Sequence, residues 1–248
     1  MRACDHARMT EIPIIPLSRL DLRFEPGVWP FAVERRAEID AHFAKLQAEK
    51  PAMWNGRVLL MRRGEIADGV LTGAYLETDF ASFISWRDWG YPDKSVRNCF
   101  PMAALRSSDG AFLLAEMGAH TATAGQIYFA AGTPDPNDVS GETVDLERGV
   151  MRELTEETGL GRAEVAPEPG WHATPLGQRL ALMKVVQARE DAISLQVRIR
   201  AFLSSQEQPE LADIRIVRSI DDLEPRMPPY VAAFLANRLS LASAAESA

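Results

Sequence analysis

Apolar side chains recur at Ile39, Phe43 and Leu46, at i, i+4 and i+7, with Glu and Lys between them. That period predicts an amphipathic helix, entered from Trp29-Pro30-Phe31 and running to Lys50. A short strand is expected before it, near residues 19–24. Beyond the helix the pattern changes to short apolar runs broken by turn residues. Asn55-Gly56 reads as a turn, and strands near 58–63 and 70–77 flank Asp68-Gly69, a two-residue hairpin signal. Residues 79–91 concentrate aromatics: Phe80, Phe83 and Ile84 are expected in the core. Trp86 and Trp89 are read as filling a seam between regions, with stacking on a nucleobase as the alternative. A second hairpin follows, with strands near 100–105 and 111–115 joined through Ser107-Ser108-Asp109-Gly110, and then a strand over 124–129.

The clearest helix follows a loop at 131–138. Leu146, Val150 and Leu154 give a buried stripe at i, i+4 and i+8, and Gly149 beside it allows close backbone approach. Asp145 is a credible N-cap with Glu147 in the first turn, and Gly159 stands where a left-handed residue would end the helix. Leu160 is then expected to fold back onto Leu154. A strand over 179–186, a helix over 191–204 and a short strand over 214–217 come next. Pro228-Pro229 starts a last helix to about residue 239, with 240–248 frayed. Residues 1–95 read as an α+β N-terminal extension and 96–248 as a second, α/β domain.

The end of the central helix carries the chemistry. Glu153, Glu156 and Glu157 fall within roughly one third of the helix circumference, because i, i+3 and i+4 are surface neighbours. They repel one another, and they stand at the end where the helix dipole already presents negative charge. A solvated acidic face is the plain reading of such a run. A divalent, oxygen-loving cation such as Mg²⁺ or Mn²⁺ would reverse both penalties.

The nine residues Arg152-Glu153-Leu154-Thr155-Glu156-Glu157-Thr158-Gly159-Leu160 resemble the second half of the Nudix box, R-E-U-x-E-E-x-G-U with U a bulky apolar residue. The resemblance implies an α/β fold, a Nudix-type α/β/α sandwich with a mixed sheet, here preceded by the α+β extension. It also implies cleavage of nucleoside diphosphates linked to another moiety, by metal-assisted attack of water on phosphorus. In the first half of the box this chain departs from the pattern: the family's Glu falls on Val144 and its Gly on Asp138. Gly141-Glu142 lies two residues early, as a short insertion would leave it. Glu142 either pairs with Arg152 or is an exposed loop residue.

On this resemblance Glu153, Glu156 and Glu157 are the metal set, and Arg152, Glu153 and Glu156 the catalytic residues. Glu153 and Glu157, one turn apart, are the best pair of ligands, and Glu156 is a further ligand or the base that takes the water's proton. Arg152 orders the loop or the carboxylates through a bidentate pair rather than touching substrate. Glu207 and Glu210 read as solvated loop residues, with a further acidic ligand as the alternative. Expected substrates are small nucleoside diphosphate derivatives, with ADP-ribose or a UDP-sugar first. The competing class is a Nudix-fold sensor that binds a nucleotide or metabolite without turnover.

Composition narrows the setting. The chain has 248 residues, 46% hydrophobic and 25% charged, which suits a globular protein with a real core. Its net charge of -8 argues against a general nucleic-acid surface. Cys4 and Cys99 supply neither a disulfide framework nor ligand spacing, so a cytoplasmic protein is expected. Residues 1–13 hold no apolar block long enough for a signal peptide, and no run approaches the about 18 residues of a membrane span. No membrane partner is expected, and a homodimer is compatible with the sequence. His6, His42, His120 and His172 are scattered singly; His120, ahead of Thr121-Ala122-Thr123-Ala124, is the one that could face the site.

Overall fold

The structure, a computed structural model, describes residues 12–246 except residue 52. Cys4 and His6 lie outside the described residues. Strands β1 (Ile15–Leu17) and β2 (Arg19–Phe24) come first, then helices α1 (Pro30–Glu34) and α2 (Arg36–Glu49), strands β3 (Arg57–Ala67) and β4 (Val70–Asp79) and helix α3 (Phe80–Asp88). They are followed by β5 (Asn98–Arg106), β6 (Phe112–Met117), β7 (Ile127–Tyr128), β8 (Val139–Ser140), β9 (Thr143–Val144) and helix α4 (Leu146–Thr158). The chain continues through β10 (Val165–Pro167), β11 (Trp171–Leu176), β12 (Arg179–Ala188), α5 (Ala192–Ser204), β13 (Leu211–Val217) and α6 (Pro229–Glu246).

Eight strands form the main sheet, in the order β1-β11-β12-β5-β6-β13, with β10 on β12 and β7 on β6. It is mixed: β12 runs parallel to β5 and its other neighbours are antiparallel. On one face Leu146, Val150 and Leu154 of α4 and Leu195 and Ile199 of α5 share a core with Leu105, Leu113 and Leu182. On the other, Val231, Phe234 and Leu235 of α6 pack with Met102, Leu114 and Met183. Helices therefore cover both faces, which is the α/β/α sandwich with a mixed sheet that the resemblance implies. Among the described residues no helix is long and apolar enough to cross a membrane.

A second sheet has the order β3-β4-β2-β9-β8. Asp68 at φ 50° and Gly69 at φ 73° make the left-handed two-residue turn that joins β3 to β4. Leu59, Met61 and Tyr75 of this sheet reach into the core beneath α4, while Val58, Leu60 and Leu76 face α1, α2 and α3. Strand β1 joins the main sheet through β11, and β8 and β9 join the second sheet through β2. Strands thus pass between the two sheets.

Several expectations change. The helix expected up to Lys50 is two helices meeting at Arg35, whose φ of -102° and ψ of 16° leave the helical region. Asn55-Gly56 is no turn; Asn55 Oδ1 instead accepts the Ala81 N–H at 2.8 Å and, with Asp79, caps α3. The last helix runs on to Glu246, because the alanines after Ser240 are strong helix formers. β10 and β11 carry Pro167 and Pro175, which make a sequence read poorly as strand. Pro175 is tolerated because β1 pairs only with Trp171, His172 and Ala173, leaving that end of β11 an edge.

Candidate active site

Helix α4 is fixed at both ends. The Asp145 carboxylate accepts the Arg148 N–H at 3.0 Å, and Gly159 at φ 73° closes the last turn with its N–H on Thr155 O. Leu154 and Leu160 are both fully buried in the same core, as the fold-back at Gly159 requires. The buried stripe faces the main sheet, and Glu153 lines a cavity.

Arg152 gathers four carboxylates. Its Nη1 donates to Glu153 Oε1 at 2.6 Å and Glu156 Oε2 at 3.3 Å, and its Nη2 donates to Asp138 Oδ1 at 3.3 Å. Asp135 lies 3.7 Å away. Glu142, one of the two alternatives for this pairing, is exposed. Asp138 takes the position instead, at the end of the short 3-10 turn Pro136–Asp138, only 2% exposed. Burial holds its carboxyl above the ordinary value, against the opposing pull of the Asp135 N–H and of Arg152. Gly149 makes room for it, since a Cβ there would stand 2.8 Å from Asp138 Oδ1.

The three glutamates divide. Glu156 is exposed, its side chain 60% accessible beside Arg152. Glu153 and Glu157 turn inward. Burial first, then the Glu156 charge, pushes Glu153 up to about 7 although Arg152 opposes it. Burial, and then the charges of Glu153 and Glu210, push Glu157 up to about 9. Glu157 Oε2 is buried and has no hydrogen-bond partner among the described residues. Among the described residues no three His, Cys, Asp or Glu side chains converge closely enough to form a metal cluster. The donors at hand are two inward carboxylates, with Glu210 close enough to shift both. An orphaned carboxylate oxygen and an all-oxygen donor set fit Mg²⁺ or Mn²⁺.

Glu153 and Glu210 line a cavity of about 820 Å³, together with His120, Tyr128 and Phe80 and Phe83 of α3, and Glu157 is buried behind it. The N-terminal region therefore supplies part of the wall. Gly132 in the loop after β7 lies against Glu153, and a Cβ there would collide with its carboxylate. His120 lines the cavity, as does Glu210; Glu207 is an exposed loop residue. Trp86 is fully buried among α1, α2 and α3 and Trp89 packs against that cluster, so both belong to the N-terminal region's own core rather than to a seam between regions. His42 pairs with Asp88, and His172 packs on Phe234. Sequence reasoning missed Asp138, whose signal was Gly149 one helical turn into α4. It also missed Asn98 and Arg179 on the cavity wall, which carry no local signal.

No protein-family model matches this chain, and no curated protein matches it. Solved structures do. The Nudix hydrolase RenU from M. Smegmatis is 17% identical with a TM-score of 0.38, over 59% of this chain and 84% of that one. The MutT protein from Methanosarcina mazei Go1 is 20% identical with a TM-score of 0.39, over 59% and 95%. A mutant form of the Bacillus subtilis pyrophosphohydrolase BsRppH is 15% identical with a TM-score of 0.33, over 60% and 81%.

Proposed function

We propose that the protein is a Mg²⁺- or Mn²⁺-dependent hydrolase, cytoplasmic, that cleaves the pyrophosphate bond of a small nucleoside diphosphate derivative. The observation that carries this reading is the pair Glu153 and Glu157, both turned inward, with Glu153 on the cavity wall and Glu157 buried behind it, its Oε2 without a donor among the described residues. Two desolvated carboxylates one helical turn apart are costly unless a cation joins them. The match of residues 152–160 to the second half of the Nudix box supports the same chemistry.

When bound, the cation would neutralise pyrophosphate oxygens and lower the pKa of its water. Glu153 and Glu157 would hold it, with Glu210 as a further source of oxygen. Glu156, exposed beside Arg152, would be the base able to take a proton from that water. Arg152 acts through others, tying Glu153 and Glu156 to Asp138 so that the carboxylates keep one geometry. Aromatic walls from α3 and β7 exclude water from the rest of the substrate.

Incubation with ADP-ribose, UDP-sugars, dinucleoside polyphosphates, coenzyme A and nucleoside triphosphates, with either metal and chromatography of products, tests the reading. Cleavage of one compound at its pyrophosphate, abolished in Glu157→Gln, is expected. Binding of a compound with no turnover across the panel would reject the hydrolase in favour of a sensor.

A further inference from the structure

Away from α4, the cavity wall holds two buried polar atoms without partners. Asn98, at the start of β5, is 8% exposed, and Arg179 stands at the start of β12; among the described residues the Asn98 Oδ1 accepts nothing and the buried Arg179 Nε donates to nothing. Both residues line the cavity. They are direct partners across the parallel pair β5 and β12, so their side chains leave the sheet on the same face, a few ångströms apart. Phe100 and Tyr230 stand edge-to-face beside them at 5.7 Å, and the Arg179 guanidinium lies 5.5 Å from the Tyr230 ring centroid.

A buried donor and a buried acceptor left without partners are each destabilising. Side by side, they ask for a ligand that presents an acceptor next to a donor. The aromatic rings around them ask for a flat one. We propose that Asn98 and Arg179 read the edge of the substrate's nucleobase. Arg179 donates to a ring acceptor or carbonyl, Asn98 Oδ1 accepts the neighbouring base N–H, and Phe100 and Tyr230 bound the ring. The pair is held rigidly: the Asn98 N–H donates to Gln178 O at 2.9 Å, and the Gln178 side chain donates to Val96 O at 2.8 Å. A sugar or a terminal phosphate would leave the aromatic walls unused.

The inference deepens the proposed hydrolase, and its test is separate from turnover. Adenosine, guanosine, cytidine, uridine and ribose 5-phosphate are titrated calorimetrically into the full chain with metal chelated. At least one nucleoside is expected to bind, weakened on the order of tenfold in Asn98→Leu and in Arg179→Met. Thermal unfolding checks that each variant folds, and Arg179→Lys, which keeps the charge but loses the fixed Nε donor, should show the same loss if Asn98→Leu does not fold. Equal binding by wild type and variants, no nucleoside binding, or Arg179-dependent binding of ribose 5-phosphate alone would each overturn it. Nucleoside binding without any pyrophosphate cleavage would instead strike the hydrolase and leave the base-reading pair standing.

Discussion

Arg152 Nη2 and Asp138 Oδ1 meet at 3.3 Å, joining the end of the loop that precedes α4 to the turn of that helix bearing Glu153. The acid in this contact comes from a position well ahead of the one the Nudix pattern would use. Asp138→Ala is expected to free Arg152 and lower turnover about 10–100-fold, as loss of a group that orients metal ligands does. Glu142→Gln, on an exposed residue, should leave turnover unchanged. Steady-state kinetics of the two variants checks this; equal losses would show that the loop acid is misassigned.

Gly149 and Gly132 are predicted to differ in what they break. At Gly149 a methyl would press on the buried Asp138 carboxylate, with Cβ 2.8 Å from Oδ1, so Gly149→Ala should lower stability by about 1–3 kcal/mol. Gly132→Ala, which would displace Glu153, should lower turnover with a much smaller change in Tm. Denaturant curves and kinetics on both variants separate the two effects.

The raised pKa of Glu157 sets a sign for stability. Folding moves its carboxyl from 4.5 to about 9, so the folded protein holds this proton more tightly than the unfolded chain. The resulting stabilisation is complete below the unfolded value and is lost as pH rises from about 4.5 to about 9. Glu153, at about 7, titrates with it as a pair. In metal-free protein the Tm of Glu157→Gln should therefore gain on wild type as pH goes from about 5 to about 9, and Mg²⁺ or Mn²⁺ should narrow the gap at about pH 8. A Tm difference independent of pH would reject the desolvated pair.

Lys184 offers a stability test away from the site. It is almost fully buried, 2.7 Å from Glu147 Oε2 on α4 and 4.9 Å from the Trp171 ring centroid. Glu147→Gln should cost about 1–3 kcal/mol, less than a fully buried pair because the Glu147 side chain is 42% accessible. Lys184→Met, which removes the charge and keeps the volume, should cost less. Chemical denaturation of the two variants decides it.

Features legible in the sequence were those whose cause is local. Asp145, Gly159 and the Leu146-Val150-Leu154 stripe define α4 within its own length, and Asp68-Gly69 defines the β3–β4 turn by backbone preference alone. Glu153 and Glu157 could be named because helix geometry fixes their relative directions. Asp138 could not be assigned to Arg152, since the loop that leads into α4 can bring either Asp138 or Glu142 within reach. Likewise β9, of two residues, pairs with β2 far back in the chain, and β8, equally short, pairs with β9. Asn98 and Arg179 meet only because β5 and β12 lie in parallel register.

The pairing of Arg23 with Thr143, together with the Phe24 N–H on Glu142 O at 2.8 Å, gives the extra loop residues a place in the second sheet. Seen from the helix, that sheet is the anchor of the loop that holds Arg152. Removing those residues would strip an edge from β2, and deleting β2 would leave β9 without its neighbouring strand. The loop before α4 and the N-terminal strand β2 therefore steady one another, and a change in either should be felt at Arg152.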